Sequence, residues 1–225
     1  MNTETNDPIN TAITPTALAK TPLQLAIAKL IGFDIIMVVD ASGSMGGANK
    51  EGSSVTRWDY MQETAIAFAR DAAAIDEDGF GLVVFSGNGI TSHDNCKVDD
   101  VTKIFKERTP RGTTPLAEAL TAALKLGEAS TKKKMIVVYT DGVPDDDKAA
   151  AKVIIDQANK QATDEELTFL FVQVGTDTGA TAYLKSLDDD LTKAGAKFDI
   201  VDTKTIEEAD KFNSTVELLA NAIDD

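Results

Sequence analysis

Two uninterrupted apolar runs constrain this chain most: Ile35-Ile36-Met37-Val38-Val39, which leads straight into Asp40, and Met135-Ile136-Val137-Val138-Tyr139, which leads through Thr140 into Asp141. A strand that faces solvent on one side alternates apolar and polar residues. A strand with no alternation is buried on both faces, and such strands belong to parallel sheets covered by helices. Gly79-Phe80-Gly81-Leu82-Val83-Val84-Phe85 and the segment 167–174 read the same way.

Helical periodicity separates these strands. Met61, Ala65, Phe68 and Ala72 line one face of a helix expected over 57–75. Leu116, Ala119, Leu120, Ala123 and Leu124 recur at three- and four-residue spacing, with Pro115 suited to the first turn. Further helices are expected over 148–161 and 180–191, with a short one at 101–106. A last strand is expected over 197–201, then a closing helix over 205–222 that turns Ile206, Ala209, Val216 and Leu219 inward. Residues 87–98 read as irregular or as a short edge strand. Strands alternating with helices predict an α/β fold: a doubly wound, mostly parallel sheet with helices on both faces.

The length of 225 residues suits one core. We expect a single domain over 23–225, preceded by a loosely docked leader over 1–22 that is rich in Thr, Asn and Pro. Leu23, Ile27 and Leu30 make a short apolar helical face before the first strand.

The net charge of −15 argues against nucleic acid, whose binding needs Lys and Arg against phosphates, and against an anionic membrane surface. No apolar run approaches the length of a bilayer span. The single cysteine, Cys96, excludes an internal disulfide, and residues 1–7 lack the pattern of a secretory signal. Both point to the cytoplasm.

Chemistry concentrates where strands end. The first apolar run opens into Asp40-Ala41-Ser42-Gly43-Ser44-Met45, and the other into Thr140-Asp141-Gly142. Between them lies Gly112-Thr113-Thr114-Pro115-Leu116. Ligands of parallel α/β sheets sit at the carboxyl ends of strands. Hard oxygen donors converging there suit Mg²⁺ or Mn²⁺. Asp40, Ser42, Ser44, Thr114 and Asp141 are therefore candidate metal ligands. Gly43 is expected to let the backbone bend between the two serines, and Gly142 to permit a sharp turn after Asp141.

This pattern resembles the von Willebrand factor A (vWA) domain and its metal-ion-dependent adhesion site: Asp-x-Ser-x-Ser, a distant Thr and a distant Asp, in that order. The resemblance runs from about Phe33 to the C-terminus and is closest to intracellular prokaryotic members. It implies a Rossmann-like fold in which Ser42, Ser44 and often Thr114 bind the metal directly, while Asp40 and Asp141 act through water. A position is then left for an Asp or Glu of a protein partner. Thr113 competes with Thr114, whose place before Pro115 fits the family segment better; Arg111 stands where that segment usually has a first glycine. The resemblance further implies a non-enzymatic binding module, working in some cases beside an AAA+ ATPase or in a stress-response complex.

Other readings stay open. A Mg²⁺-dependent phosphohydrolase also places acids at strand ends, but its second aspartate would fall where Ser42 stands. A structural subunit binding an acidic residue of the next copy would make the protein a homo-oligomer. His93, Asp94 and Cys96 form a loop cluster without a second ligand pair. Asp145–Asp147 and Asp188–Asp190 suit helix starts and solvated faces better than Ca²⁺. Trp58 is expected to pack over the strand ends.

Overall fold

A computed structural model describes residues 20–75 and 77–223. Among the described residues, six strands form a single sheet: β1 (Phe33–Asp40), β2 (Phe80–Ser86), β3 (Gly89–Cys96), β4 (Lys133–Thr140), β5 (Leu167–Gln173) and β6 (Val201–Thr205), in the order β3-β2-β1-β4-β5-β6. All neighbours pair in parallel except β2 and β3. This is the doubly wound α/β architecture expected from the alternation of strands and helices.

The two-sided hydrophobicity of the central strands has its counterpart in two cores. Ile35, Met37 and Val39 of β1 and Met135, Val137 and Tyr139 of β4 point to one face. There they meet α1 (Pro22–Leu30), α2 (Arg57–Ala72), α3 (Val98–Glu107), α7 (Ile206–Ala209) and α8 (Thr215–Ala222). Ile36, Val38, Ile136 and Val138 point to the other face, against α4 (Leu116–Leu126), α5 (Asp147–Lys160) and α6 (Thr178–Asp189). The sheet reverses its winding between β1 and β4, so this pair defines the crevice at the carboxyl edge. No helix among the described residues is long and apolar enough to cross a membrane.

Several elements depart from expectation. The last strand runs over Val201–Thr205 and not over 197–201. Buried Ile200 drew the reading too early, while the actual strand, Val-Asp-Thr-Lys-Thr, is polar because it forms the sheet edge. The closing helix is two helices. Thr205 caps α7, and a second cap at Ser214, which accepts from Glu217 N at 3.2 Å, starts α8 after a break. Residues 89–96 form a full antiparallel edge strand, so His93, Asp94 and Cys96 lie on a strand and not in a loop. Burial pushes the Cys96 thiol up to about 12, which disfavours its thiolate form.

Ala26 and Leu30 of α1 are buried and Leu23 and Ile27 half-buried against the first core. Of the leader expected over 1–22, residues 1–19 lie outside the described residues, and Pro22 already begins α1. Trp58 is buried in the first core and packs on Phe105 of α3, ring centroids 4.5 Å apart.

Phe171 in β5 is fully buried and stands 6.3 Å, centroid to centroid, from Phe169 on the same face. Phe171→Ala is expected to cost about 3–5 kcal/mol through lost burial and the cavity left behind. Equilibrium urea unfolding reads this as a lower midpoint with an unchanged slope.

Candidate metal centre

Asp40 is the last residue of β1 and is completely buried. Its Oδ1 accepts the Ser42 backbone N–H at 2.7 Å, which folds the chain back immediately after the strand. Its Oδ2 accepts the hydroxyl of Thr140, the last residue of β4, also at 2.7 Å. Burial raises the Asp40 carboxyl to about 6. The hydrogen bonds from Thr140 and Ser42 oppose that rise, and the neighbouring Asp141 carboxylate adds to it. At neutral pH the strand end therefore carries a carboxylate that its surroundings do not fully solvate.

From Asp40 a run of oxygens leads outward. Ser42 Oγ lies 3.1 Å from Ser44 Oγ, and Ser44 donates to Asp141 Oδ1 at 2.7 Å. A short 3-10 turn, Gly43–Gly46, carries Ser44 into solvent, while fully buried Met45 pins the turn into the core. Gly43 keeps an ordinary backbone conformation, as does Gly142; the glycine the turn needs is Gly112 on the facing loop, with φ +87° and a backbone oxygen that accepts from Gly43 N at 3.0 Å.

The donor set fits Mg²⁺. Adjacent oxygens of a Mg²⁺ octahedron stand about 2.9 Å apart, given metal–oxygen bonds of about 2.0–2.1 Å. The separations of 3.1 and 2.7 Å are those of hydrogen-bonded oxygens and are compatible with that spacing. All the donors are hard oxygens. Among the described residues no group of three or more His, Cys, Asp or Glu side chains gathers to hold a metal, at this turn or elsewhere.

Thr114 sits at the rim. It is buried, on the loop before α4, and its backbone is locked to the loop after β4: Thr114 N donates to Asp145 Oδ1 at 3.1 Å, and Asp145 N donates back to Thr114 O at 3.0 Å. Its side chain makes no hydrogen bond to Asp40, Ser42, Ser44 or Asp141 among the described residues. Thr113 is exposed and its hydroxyl faces Gly87: a Cβ on Gly87 would lie 2.6 Å from Thr113 Oγ1. The acidic triplets are accounted for locally. Asp146 caps α5 through Ala149 N, and Asp188 accepts from Thr203.

Sequence reading missed Arg57. The Thr56–Asp59 capping box starts α2 at this residue. Arg57 Nη1 donates to Asp141 Oδ2 at 2.7 Å and to the Ser44 carbonyl at 3.0 Å. Asp141, its side chain fully buried, is thus gripped on Oδ2 by the guanidinium and turns Oδ1 to Ser44. Gly175, with φ +92°, makes room for this: a Cβ there would lie 2.5 Å from Arg57 Nε. No spacing rule links residues 57, 141 and 175; only the glycine next to Val174 hints at a close approach.

Residues 35–143 match the family model of the von Willebrand factor type A domain. That span begins in β1 and ends just beyond Asp141, so it contains all five candidate ligands. Among solved structures, a variant of the PilB minor pilin from Streptococcus sanguinis is similar at TM-score 0.62 and 16% identity, over 85% of this chain and 62% of the pilin. The pilus adhesin SpaC from Lactobacillus rhamnosus GG is similar at TM-score 0.54 and 18% identity, over 85% of this chain and 30% of the adhesin. At such identities the likeness is one of fold. This chain spans less than two thirds of the length of either protein. No curated protein matches it in sequence.

The buried Asp40 yields a pH prediction for metal-free protein. A carboxyl raised from 3.8 to about 6 on folding stabilises the fold fully below its unfolded value, and that contribution is lost as pH rises through about 6. In EDTA, Asp40→Asn should therefore be more stable than the parent protein at about pH 7.5, with the gap closing toward about pH 4. Thermal unfolding across that range checks it. A variant less stable than the parent at every pH contradicts it.

Proposed function

We propose that this domain is a non-enzymatic, divalent-metal-dependent protein-binding module that captures an acidic residue of a partner at the β1–β4 crevice. The observation that carries the reading is the hydrogen-bonded run of Ser42, Ser44 and Asp141 oxygens at the ends of β1 and β4, open to solvent at Ser44. Ser42, Ser44 and Asp141, with Asp40 behind them and Thr114 at the rim, would hold Mg²⁺ or Mn²⁺. When bound, the ion supplies an electrophilic position for a partner's Asp or Glu.

The remaining chemistry belongs to the chain. Asp40 and Thr140 fix the turn that presents the serines, and Arg57 orients Asp141. The net charge of −15 repels an acidic partner unless the site carries a cation, which makes capture conditional on the metal. The fold, a platform for many unrelated activities, supports this reading only through the site it carries. The proposed setting is cytoplasmic, as an adaptor to an AAA+ ATPase or a stress-response complex. The single Cys96 supports the compartment.

Self-assembly is the second reading. Its support is the fold likeness to a minor pilin and to a pilus adhesin. In that case the acidic residue comes from another copy of this chain.

One experiment addresses both. Tagged protein is used for capture from native lysate in Mg²⁺ and in EDTA, beside Ser42→Ala, and its mass in solution is followed by light scattering in the same buffers. The expected outcome is a partner retained only with Mg²⁺ and lost in Ser42→Ala, at constant mass. A mass that rises with Mg²⁺ selects self-assembly. Equal capture in all lanes, with constant mass, sinks the metal-bridge mechanism.

A further inference from the structure

The chain has four arginines, Arg57, Arg70, Arg108 and Arg111, and three of them lie at the carboxyl edge of the sheet around the metal turn. In a protein of net charge −15 this gathers most of the guanidinium groups at one edge. Arg57 is consumed by Asp141. Arg108 and Arg111 form no ion pair with any acidic group among the described residues. They line a cavity of about 320 Å³ together with Ser86, Asn88, Glu107 and Thr109.

This cavity shares a wall with the metal turn. Arg111 N donates to the Ala41 carbonyl at 2.9 Å, and the next residue, Gly112, accepts from Gly43 N at 3.0 Å. Asn88 Nδ2 holds the Arg111 carbonyl at 3.0 Å. Gly112 is wedged so closely that a Cβ there would lie 2.7 Å from Asn88 Nδ2. Arg108 reaches across to the end of β2: its Nη2 donates to Ser86 Oγ at 3.2 Å and to the Gly89 carbonyl. Burial and the adjacent Arg111 both disfavour the charged state of Arg108, so two like charges converge here with no ion-pair partner among the described residues.

We infer that this cavity is a second carboxylate subsite: an acidic peptide segment of the partner sets one carboxylate at the metal position and another against Arg108 and Arg111. The inference rests on the adhesion reading above. Arginine, with its planar fork of donors, suits a carboxylate in a way that lysine does not. Glu107 at the cavity wall, with no ion pair to either guanidinium among the described residues, opposes an incoming carboxylate, so the two arginines must outweigh it. The subsite accounts for how so acidic a domain selects an acidic segment: the metal supplies the first attraction, the arginines supply register.

The test is fluorescence anisotropy of a fluorescein-labelled oligoglutamate peptide, with calorimetry of Mg²⁺ binding on the same proteins. The variants are Arg108→Gln with Arg111→Gln, Arg111→Gln alone, Ser42→Ala, and Arg70→Gln. Arg111 is exposed and lends its side chain to no hydrogen bond among the described residues, so its single variant reports even if loss of Arg108 disturbs the fold. Arg70, beside Cys96 at the opposite end of the sheet, controls for net charge. The expected result is Mg²⁺-dependent peptide binding, weakened about tenfold or more in the double variant and less in the single one. Mg²⁺ affinity stays unchanged in both, and Arg70→Gln has little effect. Peptide binding that needs Mg²⁺ and Ser42 yet ignores Arg108 and Arg111, or falls equally with Arg70→Gln, overturns the subsite and leaves the adhesion reading standing. Binding that needs the arginines but neither Mg²⁺ nor Ser42 overturns the adhesion reading and keeps the acidic site. No binding to the parent protein overturns the subsite.

Discussion

The parallel pairing of β1 with β4 is the constraint on which the rest depends. Its register sets Val39 beside Tyr139, and so brings Asp40 level with Thr140. The Thr140–Asp40 hydrogen bond, the turn through Ser42 and Ser44, and the approach of Asp141 all follow from that alignment. A slip of one residue would turn every side chain of β1 to the opposite face and carry Asp40 out of reach of Thr140. The slip is prevented by burial: β1 feeds both cores, and no other register keeps both filled.

Charge at this edge is arranged in two tiers. The inner tier is Asp40, buried and satisfied only by neutral donors. The outer tier is Asp141, whose charge Arg57 already balances. The combination leaves about one negative charge behind neutral hydroxyls, and that suits a hydrated divalent ion which keeps most of its electrophilicity. A cage of several carboxylates would bind the metal more tightly and leave it little pull on a partner's acid. Beyond these tiers, Arg108 and Arg111 bring two guanidinium groups to the rim, with Glu107 beside them.

The misread elements share a physical origin. β6 and the start of α8 are governed by edge position and by a cap at Ser214, not by hydrophobic runs, so an apolar cue at Ile200 shifted one and an apolar face running through Val216 merged the other with α7. The strand at 89–96 is exposed on both faces for most of its length and is held by pairing with β2. Its polar composition left an irregular segment or a short edge strand open, and pairing with β2 decides for the strand. By contrast β1, β2, β4 and β5 are legible because burial on two faces demands an apolar residue at nearly every position.

The sequence by itself determined the α/β class, the strands that end in Asp40 and beside Asp141, and the hydroxyls of Ser42 and Ser44 two residues apart, because each of these is a local pattern enforced by burial or by turn chemistry. Tertiary structure alone decided that Ser44 meets Asp141 across 97 residues, Arg57 meets Asp141 across 84, and Thr140 meets Asp40 across 100. It also decided that Arg108 and Arg111 stand beside the same turn, without an ion pair among the described residues. Strand order and register create those contacts, and neither is written in any short stretch of chain.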